Sequence, residues 1–200
     1  DEVIDEALRW EADLLLTHHP LIFKPLKQIN DQSLIGRRIL RMIQGDMSYY
    51  AMHTNYDVMG MADLAGEFLD MEETEVLEVT CVEQDGTEKM REQGIGRVAN
   101  LKKPMTVKEC CVFVKERFAL PSVKVFGEPE MLVNRIAVSP GSGKSVIGAA
   151  LKKGADLLIT GDIDHHEVID AVAQNMAVMD AGHYGIEHIY IKDMRKFCEE

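Results

Sequence analysis

The chain has 200 residues, 46% of them hydrophobic, with 22 Lys plus Arg against 34 Asp plus Glu and a net charge of −12. That length suits one large domain or two compact halves. The acidic balance disfavours a nucleic-acid partner, because phosphate binding rests on clustered cations. Lys24/Lys27, Arg37/Arg38/Arg41 and Lys102/Lys103 are short groups that read as solvated faces. The four cysteines (Cys81, Cys110, Cys111, Cys198) lack both metal-knuckle spacing and the density of a disulfide scaffold, so reduced thiols and a cytoplasmic location are expected. No signal peptide and no apolar run near about 18 residues is found, so export and membrane insertion are not indicated.

The chain opens at Asp1, without a methionine and inside a helical pattern (Val3, Ile4, Ala7, Leu8), and an upstream segment is expected to be missing. A short buried strand through Leu14-Leu15-Leu16 follows and breaks off at His18-His19-Pro20. A second strand, 48–52, ends at His53-Thr54-Asn55-Tyr56-Asp57. After Asp57, the positions Met61, Leu64, Ala65 and Phe68 follow helical spacing. Strands are predicted over 76–82, 97–101, 123–126 and 135–139, and 83–93 reads as a polar loop. One helix interrupts them, from an N-cap at Thr106 to Phe118. A strand through 157–160, a histidine-bearing segment 161–166, a strand over 176–179 and a final helix carrying Ile186, Ile189, Tyr190 and Phe197 complete the chain. Met42, Met47, Met52, Met59 and Met61 fall mostly on apolar faces and read as core packing.

Residues 7–17 (ALRWEADLLLT) are echoed by residues 150–160 (ALKKGADLLIT). Both read as a helix tail entering a strand, and both are followed by histidines, then by a second strand ending in polar residues. The expected fold is α/β: two related halves facing each other across a shared cleft, with mixed, mostly parallel sheets. The halves are placed at 1–75, incomplete at its start, and 76–200, with 180–200 returning to the cleft.

In open α/β sheets, ligands collect at the carboxyl ends of strands. His18, His19, Asp57 and His183 fall at such ends, and Glu187 lies four residues after His183, on the same helix face. Each has an ordinary reading: a polar strand exit for the histidine pair, an N-cap for Asp57, an exposed helix pair for His183 and Glu187. Jointly they favour a metal site, and five ligands are more than one ion needs, which points to a pair of ions. Ser139-Pro140-Gly141-Ser142-Gly143-Lys144-Ser145 resembles a phosphate loop, but the required first glycine is Val138. A glycine-rich strand-to-helix turn is the favoured reading there, and an anion-binding module remains a third, weaker alternative.

The segments Thr17-His18-His19-Pro20-Leu21-Ile22-Phe23, His53-Thr54-Asn55-Tyr56-Asp57, Thr160-Gly161-Asp162-Ile163-Asp164-His165-His166 and Asp180-Ala181-Gly182-His183-Tyr184-Gly185-Ile186-Glu187 resemble the NIF3-like family of dinuclear-metal proteins, which carries the name GTP cyclohydrolase 1 type 2. The resemblance runs over nearly the whole chain. It implies His18, His19, Asp57, His183 and Glu187 as ligands of two divalent ions, with His53 and His166 lining the same cavity. It also implies two α/β halves across the dinuclear site and a ring-shaped homohexamer. The family's usual opening strand, helix and Trp-Asp-Asn segment are absent, with Trp10 in another context, and Tyr56 stands where an aliphatic residue is usual.

The leading expectation is therefore a metal-dependent hydrolase of the cyclohydrolase type, acting on a nucleotide or similar polar small molecule, with His53 or His166 moving the proton. The alternative is a metal-binding structural or regulatory protein without catalysis. The mixed N/O donor set leaves zinc, iron, manganese, nickel and cobalt open and makes magnesium a poorer fit.

Overall fold

The computed structural model describes residues 1–84 and 90–200. The chain divides into two units, Asp1–Tyr56 and Asp57–Glu200.

In the first unit, α1 (Glu2–Arg9) leads to β1 (Leu14–Thr17), α2 (Leu34–Gln44) to β2 (Ser48–Ala51), and α3 (Thr54–Tyr56) ends the unit. Ser33 caps α2 by accepting from the Gly36 amide at 3.0 Å, satisfying one of the orphan donors of a helix start. β1 and β2 pair in parallel, with Leu14 opposite Ser48 and Thr17 opposite Ala51. Ile4, Ala7, Ile39, Met42 and Met47 form a small core under this ribbon. The strand through Leu14 is not buried as its composition suggests: Leu14 is 52% exposed and the other three residues are half-buried. A two-stranded sheet has too few neighbours to cover both faces, however apolar its strands.

The second unit begins with a π-helical turn, Asp57–Met61, which continues into α4 (Ala62–Phe68). Asp57 therefore opens a wide turn, where the sequence suggested the cap of a regular helix; such turns are uncommon and gather at functional positions. β3 (Glu75–Gln84) and β4 (Met90–Thr106) follow, then α5 (Val107–Arg117), β5 (Lys124–Phe126) and β6 (Leu132–Ser142). A 3-10 turn at Lys144–Val146, α6 (Ile147–Lys152), β7 (Leu157–Gly161), α7 (His165–Ala173), β8 (Ala177–Asp180), α8 (His183–Glu187) and α9 (Ile189–Glu199) complete it.

These strands form one six-stranded sheet in the order β3-β4-β6-β7-β8-β5. The β6-β7-β8 centre is parallel and both flanks are antiparallel, so the sheet is mixed. Part of the segment predicted as a loop, 83–93, is strand: Glu83 pairs with Arg91 and Gln84 with Met90, while 85–89 lies outside the described residues. Polarity misled here because both strands of this hairpin arm are exposed and need few apolar residues. All of β7 and β8 is buried, between layers that include Val146, Ala150, Val168 and Ala171 on one side. Phe197 does not join the core as its spacing suggested; it is exposed, whereas Ile186, Ile189 and Tyr190 are buried. Met42, Met47 and Met61 pack inside, but Met59 is exposed.

The echoed segments form matching elements. α1-β1-α2-β2 and α6-β7-α7-β8 share one order, and Leu14 pairs with Ser48 as Leu157 pairs with Ala177. α5 starts where predicted, at Thr106, whose hydroxyl accepts from the Glu109 amide at 3.2 Å while the Glu109 carboxylate accepts from the Thr106 amide at 2.7 Å. This reciprocal cap holds the Glu109 carboxyl below its ordinary range.

Two outcomes test this arrangement. Glu75 meets Arg135 and, at 3.1 Å, Lys153, and these cations hold its carboxyl below the usual range. Its contribution to stability is then present above the unfolded-state value of about 4.3 and lost as pH falls through the lowered folded value. Urea titrations from pH 6 to pH 3 should show a smaller acid loss for Glu75→Gln than for the parent. Equal slopes would contradict the contact. Burial pushes the Cys110 thiol up to about 11, while Cys81 and Cys198 are exposed. With a thiol reagent at pH 8, Cys81 and Cys198 should react first and Cys110 only on unfolding, read by peptide mass mapping.

Candidate metal centre

In the first unit, β1 and β2 deliver three imidazoles. His18 and His19 leave the end of β1 and His53 follows the end of β2. Ligand nitrogens of the three lie within 4.8 Å of one another, and the His53 ring centroid is 5.3 Å from His18 and 5.4 Å from His19. The turn is clamped from below. The His19 carbonyl accepts from the Thr17 hydroxyl at 2.9 Å and from the Tyr49 hydroxyl at 2.7 Å. His18 Nδ1 lies 2.8 Å from the Met52 carbonyl. A carbonyl can only accept, so Nδ1 carries the proton and Nε2 holds the lone pair in the neutral ring.

In the second unit, Asp57, His183 and Glu187 come together on the π turn and α8. A carboxylate oxygen of Asp57 lies within 4.8 Å of one from Glu187. His183 Nε2 is 3.2 Å from Glu187 Oε1, as the four-residue spacing predicts. His183 Nδ1 is held at 2.8 Å by Asp162 Oδ2, which again fixes the proton on Nδ1 and presents Nε2 as a donor of electrons. Nε2 and the Glu187 carboxylate are then two acceptors facing each other across a contact that only a proton or a cation makes favourable. Glu187 is buried.

The close approach needs glycine twice. A Cβ on Gly141 would sit 2.6 Å from Glu187 Oε1, and Gly141 has φ +77°, a region that side chains rarely adopt. A Cβ on Gly161 would sit 2.6 Å from the His183 amide nitrogen. β6 slips register between Ser139 and Ser142, and the buried Thr160 hydroxyl donates to the Gly141 carbonyl at 3.1 Å. The bulge turns the end of β6 toward α8. The glycine turn thus serves carboxylate packing. Lys144 is taken by Glu167 at 2.8 Å and Asp164 at 3.3 Å, which leaves the anion-binding alternative without its cation.

His166 is on the exposed first turn of α7, with its ring centroid 5.6 Å from His165, and it joins none of the close donor groups among the described residues. Asp162 and Tyr49 carried no role in the sequence reading. The first was visible as an acid directly after a strand; the second had no signal, since its role depends on strand register. The imidazole and carboxylate donors suit divalent first-row metals, and their fixed tautomers fit such ions.

The profile of the DUF34/NIF3 (NGG1p interacting factor 3) family matches residues 1–200. A Clostridium acetobutylicum protein named GTP cyclohydrolase 1 type 2 homolog is 36% identical over 200 residues, covering 99% of this chain and 72% of its own length. Among solved structures, a Bacillus cereus protein related to NIF3 superposes with TM-score 0.84 at 24% identity, over 98% of this chain and 81% of that one. Reduced HcgD from Methanocaldococcus jannaschii gives TM-score 0.79 at 28% identity, over 98% and 74%. The chain belongs to the DUF34/NIF3 family.

Proposed function

We propose that His18, His19, Asp57, His183 and Glu187 hold two divalent metal ions and that the protein is a metal-dependent hydrolase of the cyclohydrolase type, acting on a nucleotide or similar polar small molecule. The observation that carries this reading is the 3.2 Å approach of His183 Nε2 to Glu187 Oε1 with Nδ1 committed to Asp162. His18 and His19 of the first unit add imidazole nitrogens, which suit zinc, iron, nickel or cobalt, while the carboxylates also admit manganese. The name of the Clostridium acetobutylicum relative supports the activity class.

Bound divalent ions supply Lewis acidity and a water acidified to near neutral pKa, ~7 in favourable zinc sites. The chain's own part is positional. Thr17 and Tyr49 hold the His18-His19 turn, Asp162 holds the His183 ring, and Gly141 leaves room for the Glu187 carboxylate. His53, packed against both ligand histidines, is the proposed group that takes a proton from the attacking water and returns it to the leaving group. His166, exposed on α7, is its proposed counterpart on the solvent side. The ring-shaped homohexamer and the cytoplasmic location accompany this reading as proposals. No helix among the described residues is long and apolar enough to cross a membrane.

Elemental analysis of tag-free protein should find two first-row ions per chain. A metal-free protein that stays so after incubation with each of the five candidates would end the proposal. Asp162→Asn should weaken binding of metal by about 10–100-fold, the usual effect of removing a carboxylate behind a ligand histidine. Gly141→Ala should displace Glu187 and lower the stoichiometry. Unchanged affinity in both, read by competition with a chromogenic chelator, would contradict the assignment. Metal-loaded protein should turn over one or more purified nucleotides, and His19→Ala should lose that activity at least tenfold. Turnover no faster than free metal would sink the hydrolase half.

A further inference from the structure

α8 carries two pairs of residues at i, i+4 spacing. His183 with Glu187 forms one, and Tyr184 with His188, the residue that ends the helix, forms the other. The second pair is turned by about 100° from the first, the rotation of one helical residue, and borders a cavity of about 520 Å³. That size falls among small-molecule sites, which span about 300–1,000 Å³. Leu120, Pro121, Lys124 and Asp180 are among its other walls.

The charge in this cavity is incompletely matched. Asp180, at the end of β8, has a side chain only 10% exposed. Its Oδ1 accepts from the Gly182 amide at 2.9 Å. Its Oδ2 lies 3.7 Å from the Lys124 ammonium, beyond hydrogen-bond distance, and makes no hydrogen bond among the described residues. The Lys124 side chain is 78% exposed, so its ammonium keeps most of its water and is weakly held. A largely desolvated carboxylate oxygen that lacks a donor is costly. Two aromatic rings stand on the same cavity. Those of Tyr184 and His188 have centroids 5.8 Å apart and planes 31° apart. Nδ1–H of His188 donates to the Gly185 carbonyl at 2.9 Å, which holds that ring. Tyr184 is 74% exposed, so much of its ring is open to a ligand.

We propose that this cavity is a binding site for a small-molecule guanidinium cation, whose fork of N–H donors meets Asp180 and whose plane lies against Tyr184. Three arguments select that chemistry. A carboxylate forms its strongest hydrogen bonds with a charged donor, and guanidinium is the cation whose parallel N–H groups match it. A guanidinium plane is weakly hydrated and stacks on an aromatic face, which a compact, strongly hydrated ammonium does less well. The net charge of −12 on the chain attracts a cation and opposes an anionic ligand. A divalent metal fits poorly, because Asp180 joins no close donor group among the described residues. The inference goes beyond the metal-centre reading and does not rest on it. It assigns a second ligand, held by residues outside the proposed donor set.

The test is calorimetric titration of the whole chain with arginine, lysine and citrulline, after chelator treatment so that the amino-acid ends of the probes have no metal to bind. The three share those ends and differ in the head: a planar cation, a compact cation and a planar neutral group. Arginine should bind about tenfold tighter than either of the others. Asp180→Asn keeps the acceptor for the Gly182 amide but removes the charge, and should abolish the preference for arginine over citrulline. Lys124→Met removes the competing ammonium and should tighten arginine several-fold. Tyr184→Ala, at an exposed position, should weaken arginine about tenfold and lysine less. Circular dichroism checks that each variant is folded. No arginine binding to the parent, equal affinity for arginine and citrulline, or a folded Asp180→Asn protein with the parent's preference would each overturn the proposal. If Asp180→Asn does not fold, unchanged arginine affinity in both Lys124→Met and Tyr184→Ala overturns it instead. Because no metal is present, the metal proposal and this one can fail separately.

Discussion

An imidazole nitrogen bearing a lone pair and a buried carboxylate oxygen stand 3.2 Å apart on one turn of α8, and much of the second unit is arranged to make that possible. A lone pair on Nε2 and a carboxylate oxygen are both acceptors, and the contact is favourable when a proton or a cation lies between them. The register slip in β6, the buried Thr160 hydroxyl on the Gly141 carbonyl and the bare Cα positions at 141 and 161 bring two strand ends against the helix. Asp162, itself at φ 47°, then orients the imidazole. Backbone strain and lost side-chain packing at these points are stabilised by the densely buried β7 and β8 beneath them.

Sequence periodicity was informative where elements are long or repeated. The echo between 7–17 and 150–160 reappears as two helix–strand units with equivalent parallel registers, because similar local patterns favour the same local elements even where the sheet around them differs. Thr106 was legible as a cap for the same local reason. That His18, His19, His183 and Glu187 fall in close groups of possible donors was legible, because metal-binding chemistry restricts residue types and the spacing of helix pairs.

What escaped the sequence depends on surroundings that pattern does not record. Leu14 is apolar yet exposed, since burial needs neighbouring strands as well as a suitable side chain. Residues 83–84 and 90–92 are polar because these strand ends are exposed, and pairing there is made by backbone groups that carry no sequence signature. Phe197 has the right spacing but lies beyond the last turn of α9 that packs on the unit. The π turn at Asp57 is a backbone choice of one extra residue per turn, invisible to a 3.6-residue period. Tyr49 acts on the His19 carbonyl only because β2 lies beside β1 in one register.

The two faces of α8 have different tolerances. Replacing His183 or Glu187 removes a donor, and their surroundings are restricted by glycine backbones that admit no side chain. Tyr184, His188 and Asp180 border a cavity, so side chains there have room that His183 and Glu187 lack. A family can therefore keep one donor geometry and change its ligand, which is why belonging to it fixes a fold without fixing a substrate. The constraint behind His183 and Glu187 and the freedom behind the cavity come from neighbouring faces of the same short helix.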